Sequence, residues 1–516
     1  MSVPLEELYR ELDEKRRIAR EGGGKDKAEK QKAKGKLLAR ERVEKLFDPG
    51  TFEELQWLAT ARPTITGFPV HRVYGDGVIV GFGRIDGRLV YAFVQDFTVM
   101  GGSIGEVHAE KIANVIKMAM EVGVPVIGIF DSGGARIQEG VAALHGVGKI
   151  FKAIIDASGV IPQIAIMAGP CAGGAAYAPA LMDFVIAVDR TSYMFVTGPE
   201  VVKEVTGEDV DFETLGGAKV HSTKSGVAHF RVKDEEEAFR VVRRLLSYLP
   251  DNYASMPPVE ECREDPEKLV PELDTILPED RARPYDIKEV LNRVFDKGSI
   301  LEVWAEWAPN IVTAFARIGG YPVCVIANQP AYMAGVIDID ASCKAARFIR
   351  FCDCFNIPIV MFVDVPGYMP GTDQEHGGII RHGAKMLYAY AEATVPKITV
   401  ILRKAYGGAY ISMGSKALGA DIVFAWPTAE IAVLGAEAAV RILYRHEIAL
   451  GGEETFRRLV ETFRAKFMNP YHAAELGLID DVIKPCETRR KLYRALMALL
   501  PKRVQRIPKK HGNIPL

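Results

Sequence analysis

A chain of 516 residues has room for about three domains and more than one buried core. Apolar residues make up 48% and charged residues 26%, ordinary for a water-soluble globular protein. The 65 basic and 67 acidic side chains nearly cancel to a net −2, so no global field points to nucleic acid or a membrane surface. Seven cysteines are scattered, and Cys352 and Cys354 lack the spacing of a zinc pair. No metal is expected, and the thiols read as reduced and buried. No apolar run reaches the roughly 18 residues that span a bilayer. The start, Met1 to Glu7, resembles neither a signal nor a transit peptide, so the expected compartment is the cytoplasm.

In chain order, Leu5, Leu8, Leu12 and Ile18 among charges predict an amphipathic helix over residues 5–19. Gly22-Gly23-Gly24 breaks it, and the Lys-rich stretch to Lys45 reads as a solvated charged helix and hinge. Gly22–Lys25 lacks the ending of a phosphate loop and follows no strand. A strand is expected around Val90–Val94. Gly101-Gly-Ser103-Ile-Gly105 matches the pattern of a nucleophile elbow, but Phe97-Thr-Val-Met separates it from that strand. Pro125–Phe130 is a six-residue apolar run suited to a strand buried on both faces. Val141, Leu144, Val147, Ile150 and Ile154 then follow helical spacing. From Pro250 to Pro284 the density of prolines and charges argues against helix or central strand and marks a connection.

Beyond that break the pattern returns. Val124-Pro-Val-Ile-Gly-Ile-Phe-Asp131 reappears as Ile357-Pro-Ile-Val-Met-Phe-Val-Asp364, an offset of 364 − 131 = 233. Gly173-Gly-Ala-Ala-Tyr177 reappears as Gly407-Gly-Ala-Tyr410, offset by 407 − 173 = 234. Ile161–Met167 matches Val395–Ile401, and Phe47-Asp-Pro-Gly50 matches Phe295-Asp-Lys-Gly298. Pro358–Val363 is then the second buried strand, and Ile379 to Ala393 a helix. The chain reads as a tandem duplication of one layered α/β unit.

Each copy runs a strand straight into a Gly-Gly-Ala turn that opens a helix. The first N–H groups of a helix have no intrahelical partner, and the dipole makes that end partly positive. Glycine lets a substrate oxygen approach the backbone without meeting a Cβ. Such a turn suits an oxygen that becomes anionic during reaction, as in a thioester enolate. The alternative is that these glycines only permit close helix–strand packing. Two turns at matched places fit a reaction with two enolate-like partners. Asp131 and Asp364, at strand ends, read as turn caps, and His145 and His382 as helix-face or core residues.

Asp131-Ser-Gly-Gly-Ala-Arg136 and Gly169-Pro-Cys-Ala-Gly-Gly-Ala-Ala-Tyr177 resemble the amino-terminal domain of the biotin-dependent carboxyltransferases. Asp364-Val-Pro-Gly-Tyr-Met-Pro-Gly371, Gly378-Ile-Ile-Arg-His-Gly-Ala-Lys385 and Arg403-Lys-Ala-Tyr-Gly-Gly-Ala-Tyr410 resemble their carboxyl-terminal domain. The family is that of the beta subunits of propionyl-CoA and acetyl-CoA carboxylases, close to the subunit of methylmalonyl-CoA decarboxylase. The resemblance implies two crotonase-like domains: residues 1–255 on the acyl-CoA side and 285–516 on the biotin side, joined by 256–284. It implies a ring-shaped homo-hexamer whose sites combine domains of different subunits. The N–H groups of Gly173 and Gly174 would hold the thioester oxygen of the acyl-CoA. Those of Gly408 and Ala409 would hold the ureido oxygen of biotin. Gly133, Gly134, Ala135, Ala172, Tyr177, Gln329, Gly335, Tyr410 and Ile411 would line the substrate sites. In the family scheme the biotin nitrogen itself removes the α-proton, so no side-chain base is needed.

Lys117, in Ile116-Lys117-Met118, stands in the wrong order for a biotinyl-lysine motif, so biotin is expected on a separate carrier. No nucleotide-binding fingerprint appears, which leaves the ATP-dependent half-reaction to a biotin carboxylase partner. Many propionyl-specific members carry aspartate where Ile411 stands, so a shared acetyl and propionyl range is expected. Three alternatives use the same elements: a sodium-pumping decarboxylase reaching the membrane through a partner, a crotonase-like CoA hydratase or isomerase, and a non-catalytic core for carrier subunits.

Overall fold

The computed structural model describes residues 4–63 and 67–516. The chain divides into two compact units, Met1–Ser255 and Met256–Leu516. The first is built on an eight-stranded sheet: β1 (Glu53–Leu55), β2 (Val78–Ile85), β3 (Arg88–Gln95), β4 (Val126–Ser132), β5 (Gln163–Ala172), β6 (Phe184–Val188), β7 (Tyr193–Phe195) and β8 (Phe230–Val232). The order is β1-β2-β3-β4-β5-β6-β8, with β7 paired to β5. β1 to β3 are antiparallel and the rest parallel. All seven residues of β4 are buried: the apolar run Val126–Phe130, as burial on both faces requires, and with it Asp131 and Ser132. Helices Glu106–Val122 and Val141–Ala157 carry Ile112, Val115, Val147 and Ile150 into the same core. Each such fully buried side chain stabilises by roughly 1.5–3 kcal/mol relative to exposure.

The second unit repeats the design with β9 (Leu301–Val303), β10 (Ile311–Ile318), β11 (Tyr321–Asn328), β12 (Ile359–Val365), β13 (Lys397–Tyr406), β14 (Ile422–Ala425), β15 (Glu430–Ala432) and β16 (Asp481–Val482). From β9 the order runs to β14 and then β16, with β15 paired to β13, so each strand has its counterpart eight places earlier. Irregular details repeat too. Register shifts fall at Phe130/Ser132 between β4 and β5, and at Val363/Val365 between β12 and β13. Left-handed backbone occurs at Met100 to Gly102 and again at Met333 to Gly335. Isolated bridges join Ile104 to Ala135 and Ile337 to Tyr368. Two sheets sharing even their irregularities are the mark of a duplicated α/β domain.

The expected first helix forms over Leu5–Glu21. Gly23 allows more than a break, because a Cβ there would lie 1.9 Å from the Thr98 carbonyl oxygen. The Lys-rich stretch departs from the solvated helix expected of it. Helices Lys25–Ala33 and Ala39–Leu46 are largely exposed on one side, but Lys36 and Arg42 are buried. From Met256 to Tyr285 the chain contains no strand or α-helix, only the short turn Pro271–Leu273. Val270 and Leu273 nevertheless pack with Ile287, Val290 and Leu492 in the second core. Helices Ala436–Leu443 and Arg445–Phe467 enclose a smaller cluster of Val440, Phe456 and Val460. None of the seven cysteines is in a disulfide; Cys171, Cys324 and Cys352 are buried, whereas Cys354 is exposed, against the expectation of burial. Among the described residues, no helix is long and apolar enough to cross a membrane.

Candidate active site

β5 ends at Ala172, and the chain turns through Gly173–Ala176 into the helix Tyr177–Leu181. Gly173 has φ +64°, a left-handed conformation that strains any residue with a Cβ. A Cβ on Gly174 would meet nothing closer than Val147 Cγ1 at 3.7 Å, and one on Gly173 nothing closer than 4.0 Å. Packing therefore does not explain these glycines. Open space lies beside them, at the end of a helical turn that the dipole makes partly positive. The glycine earlier in β5 differs: a Cβ on Gly169 would sit 1.9 Å from Asp131 Oδ1.

The loop after β4 closes beside this turn. Gly134 has φ +102°, and a Cβ on it would lie 2.9 Å from the Ala172 carbonyl. Ile104 N–H donates to Gly134 O at 2.8 Å, and Arg136 N–H to Ile104 O at 2.9 Å. Gly133 N–H donates to Gly101 O at 2.9 Å. Gly133, Gly134, Ala135, Ala172, Gly173 and Gly174 are thus brought together. Tyr177 follows the turn, half exposed, with its ring edge-on to Phe151 at 6.3 Å.

Beneath the loop lies a buried polar network. Lys36 Nζ and Arg42 Nη1 reach the two oxygens of Asp131 at 2.6 and 2.9 Å, and Arg42 Nε donates to Glu235 at 2.7 Å. Asp131 is therefore the centre of an ion-pair cluster, not the turn cap expected at this strand end. Burial pushes the Lys36 ammonium below its ordinary pKa, with Asp131 opposing. Asp131 N–H donates to Gln95 Oε1 at 3.0 Å, and Gln95 Nε2 lies 3.2 Å from His108 Nε2. His108 Nδ1 lies 2.9 Å from the Asp76 carbonyl. The amide donor on one side and the carbonyl on the other place the imidazole proton on Nδ1. Burial, reinforced by Arg136, drives the His108 pKa well below 6.5. Arg136 Nη1 binds Asp76 and Glu139, both at 2.7 Å. Its Nε also donates to Ser103 Oγ at 3.3 Å, so the serine of the elbow-like motif faces a guanidinium.

In the second unit β13 ends at Tyr406, and the helix Gly407–Ser412 begins at once. Gly407 has φ +59°, matching Gly173. Gly408 is exposed, and a Cβ there would meet only Tyr368 at 3.9 Å. The methyl of Ala409 is buried. An apolar cavity of about 940 Å³ adjoins this turn, lined by Gly407, Gly408, Tyr410, Ile411, Val433 and Phe467 among others. Asp364 again sits at the strand end in an ion pair: Arg403 Nε donates to it at 2.9 Å and Lys404 N–H at 3.1 Å. Asp364 is thus not the turn cap expected of it, since its backbone partner Lys404 lies on β13, 40 residues away. Asn328 Oδ1 accepts from Asp364 N–H at 3.2 Å, the place Gln95 takes in the first copy.

The other expected residues have partners of their own. Gln329 is buried and spends its amide on Ile287 N–H at 3.1 Å and Asp286 at 2.7 Å. Gly335 packs closely, since a Cβ on it would lie 2.8 Å from Asp364 O. His145 is exposed on its helix, and His382 Nδ1 faces Cys343 Sγ at 3.1 Å. Among the described residues no group of three or more His, Cys, Asp or Glu is placed to hold a metal. Sequence reasoning missed Lys36, Arg42, Gln95 and His108. Of these only Gln95 had a readable signal, a second amide, Asn328, at the repeat offset of 328 − 95 = 233.

Residues 30–514 match the carboxyl transferase domain family. A propionyl-CoA carboxylase carboxyltransferase subunit from Haloferax mediterranei is 56% identical over 516 residues, the whole of both chains. A methylmalonyl-CoA decarboxylase subunit alpha from Veillonella parvula is 53% identical, covering 99% of each. The transcarboxylase 12S crystal structure, a hexamer with methylmalonyl-CoA bound, superposes with a TM-score of 0.97 at 49% identity over 100% of both chains. The chain belongs to the carboxyl transferase domain family. Within it, the chain groups with the biotin-dependent acyl-CoA carboxyltransferases, in the branch that holds propionyl-CoA carboxylase beta subunits and methylmalonyl-CoA decarboxylase alpha subunits.

Proposed function

We propose that the protein is the carboxyltransferase subunit of a biotin-dependent acyl-CoA carboxylase, moving a carboxyl group from carboxybiotin to the α-carbon of propionyl-CoA, with acetyl-CoA also accepted. The observation that carries this reading is the pair of glycine turns that face open space. A Cβ would fill that space, and an approaching substrate oxygen can occupy it. The N–H groups of Gly173 and Gly174 hold the thioester oxygen and stabilise charge as the α-proton leaves. Those of Gly408 and Ala409 hold the ureido oxygen. Biotin, carried on a separate subunit or domain, supplies the carboxyl group and the nitrogen that takes the α-proton. No side chain at either turn is needed as a base, and His472, which lines the cavity beside Gly408, takes no part in this scheme.

Residues 1–255 serve the acyl-CoA and 285–516 the biotin, in a hexamer like that of transcarboxylase 12S, working with biotin carboxylase and carrier subunits. Gly133, Gly134, Ala135 and Ala172 shape the acyl-CoA side, with Tyr177 beside it, while Tyr410 and Ile411 border the biotin side. The relatives with decarboxylase names support a second reading, the same chemistry run in reverse within a membrane-coupled complex. Co-purification separates the two: a biotin carboxylase supports the first, a membrane protein the second. Proline removes a backbone N–H and is tolerated in the first turn of a helix. Gly174→Pro and Gly408→Pro should each lower carboxyl transfer more than a hundredfold with the oligomer intact. Retained transfer in either would remove that turn from the site.

A further inference from the structure

Ser412 Oγ lies 3.0 Å from the Gly408 carbonyl oxygen, and Tyr368 Oη lies 2.6 Å from Ser412 Oγ. A carbonyl can only accept, so the single serine proton goes to Gly408 O. The short second bond must then be donated by the tyrosine. The order is fixed: Tyr368 O–H to Ser412 Oγ, and Ser412 O–H to Gly408 O. The Gly408 carbonyl and the Ala409 N–H belong to one peptide group and point in opposite directions. Hydrogen bonds in series polarise one another, so donation to the carbonyl strengthens the N–H at the other end as a donor.

The surroundings hold this relay in place. Ser412 is fully buried. The backbone on either side of Tyr368 is pinned by Ile337 N–H to Gly367 O at 3.1 Å and Met369 N–H to Ile337 O at 2.8 Å. The ring is wedged against Gly383, where a Cβ would come within 3.0 Å of Cε1. Burial raises the tyrosine pKa, which keeps the hydroxyl protonated at neutral pH. The first copy has no such relay. The counterpart of Tyr368 is Ala135, by its matching bridge, and that of Ser412 is Ala178, at the offset 412 − 178 = 234.

We infer that Tyr368 and Ser412 are positioning residues for the biotin-side turn, orienting and polarising the Gly408–Ala409 peptide so that its N–H stabilises charge on the ureido oxygen. This rests on the assignment of that turn to biotin. A serine hydroxyl bonding four residues back along a helix is common by itself. The short tyrosine bond from a separate loop makes it a relay. The test uses the assembled enzyme, with methylmalonyl-CoA as carboxyl donor and free biotin as acceptor. Tyr368→Phe keeps the ring wedge and removes only the hydroxyl, while Ser412→Ala removes the link and Ser412→Thr preserves a hydroxyl.

Each of the first two should lower kcat about three- to tenfold, the loss of one net hydrogen bond. The double variant should fall no further than either single, Ser412→Thr should stay within twofold of the parent, and KM for methylmalonyl-CoA should not move. Parental kcat in both singles, or losses that multiply in the double, would overturn the relay. So would a lowered melting temperature with kcat unchanged, which is what mere packing would give. Gly408→Pro separates this from the site assignment. If it retains transfer, the assignment itself falls. If it abolishes transfer while Tyr368→Phe is unaffected, only the relay falls.

Discussion

Lys111 and Lys344 hold the same place in the two copies, each fully buried and each donating from Nζ to backbone carbonyls where the chain passes from β1 to β2 or from β9 to β10. Lys111 bonds Gly75 O at 2.8 Å and Val78 O at 2.5 Å. Lys344 bonds Trp304 O at 2.9 Å, Trp307 O at 2.8 Å and Ala308 O at 3.2 Å. A buried ammonium is costly unless its donors are matched, and here carbonyls replace a counter-ion. The loop at Trp304 to Ala308 needs such a clamp because both those residues have positive φ. Lys344→Met keeps the aliphatic stem and leaves the carbonyls without their donor. It should lower stability by about 1–3 kcal/mol in chemical denaturation. A loss below about 0.5 kcal/mol would show that the carbonyls are satisfied without it.

The cluster around Asp131 gives an ordered pair of effects. Arg42 is fully buried and serves two carboxylates, Asp131 and Glu235, whereas Lys36 serves Asp131 alone. Arg42→Met leaves Glu235 buried without its guanidinium and Asp131 with Lys36 alone, and should destabilise by about 3–5 kcal/mol. Lys36→Met leaves Asp131 still paired with Arg42 and should cost less. Comparing the two denaturation midpoints checks the order, and an equal or reversed order would refute it.

Much of this architecture could be read from the chain, and what could not has a common cause. The strands Val126–Ser132 and Ile359–Val365 were legible because strands buried on both faces are written as unbroken apolar runs. The turns at Gly173 and Gly407 were legible because a strand, two glycines and a helix follow one another locally. The Lys-rich stretch was legible as helix but not in the burial of Lys36 and Arg42. Lys36 finds Asp131 across 95 residues, and Arg42 finds Glu235 across 193. No local pattern of charge distinguishes a lysine bound for a buried carboxylate from a solvated one. Ser412 and Tyr368 escaped for the same reason, being joined across 44 residues.

His108 gives the acid sensitivity a sign. Its folded pKa lies well below the 6.5 of an unfolded imidazole because burial disfavours the charged form. Below pH 6.5 the unfolded chain takes up a proton that the folded chain refuses. The stability present above pH 6.5 is therefore lost as the pH falls, by up to about 1.4 kcal/mol per pH unit. Protonation would also set an N–H against the Gln95 amide donor 3.2 Å away. Denaturation at pH 7.5 and 5.5 should show a smaller loss in His108→Gln than in the parent. Equal losses would assign the acid response to other groups.

The proposed shared range of acyl-CoA substrates makes a prediction at Ile411. That residue is partly exposed, immediately follows Tyr410 and lines the cavity beside Gly407 and Gly408. A branched apolar side chain there has no charge to favour one acyl-CoA over another. One methylene in an apolar pocket discriminates by only about 1–3 kcal/mol. The ratio of kcat/KM for propionyl-CoA to acetyl-CoA should accordingly stay below a hundredfold, about 2.7 kcal/mol. Ile411→Asp brings a carboxylate to that wall, as in propionyl-specific members of the family, and should raise the propionyl preference by tenfold or more. A parental ratio already above a hundredfold, or one unmoved by the substitution, would place the control of acyl-chain length elsewhere.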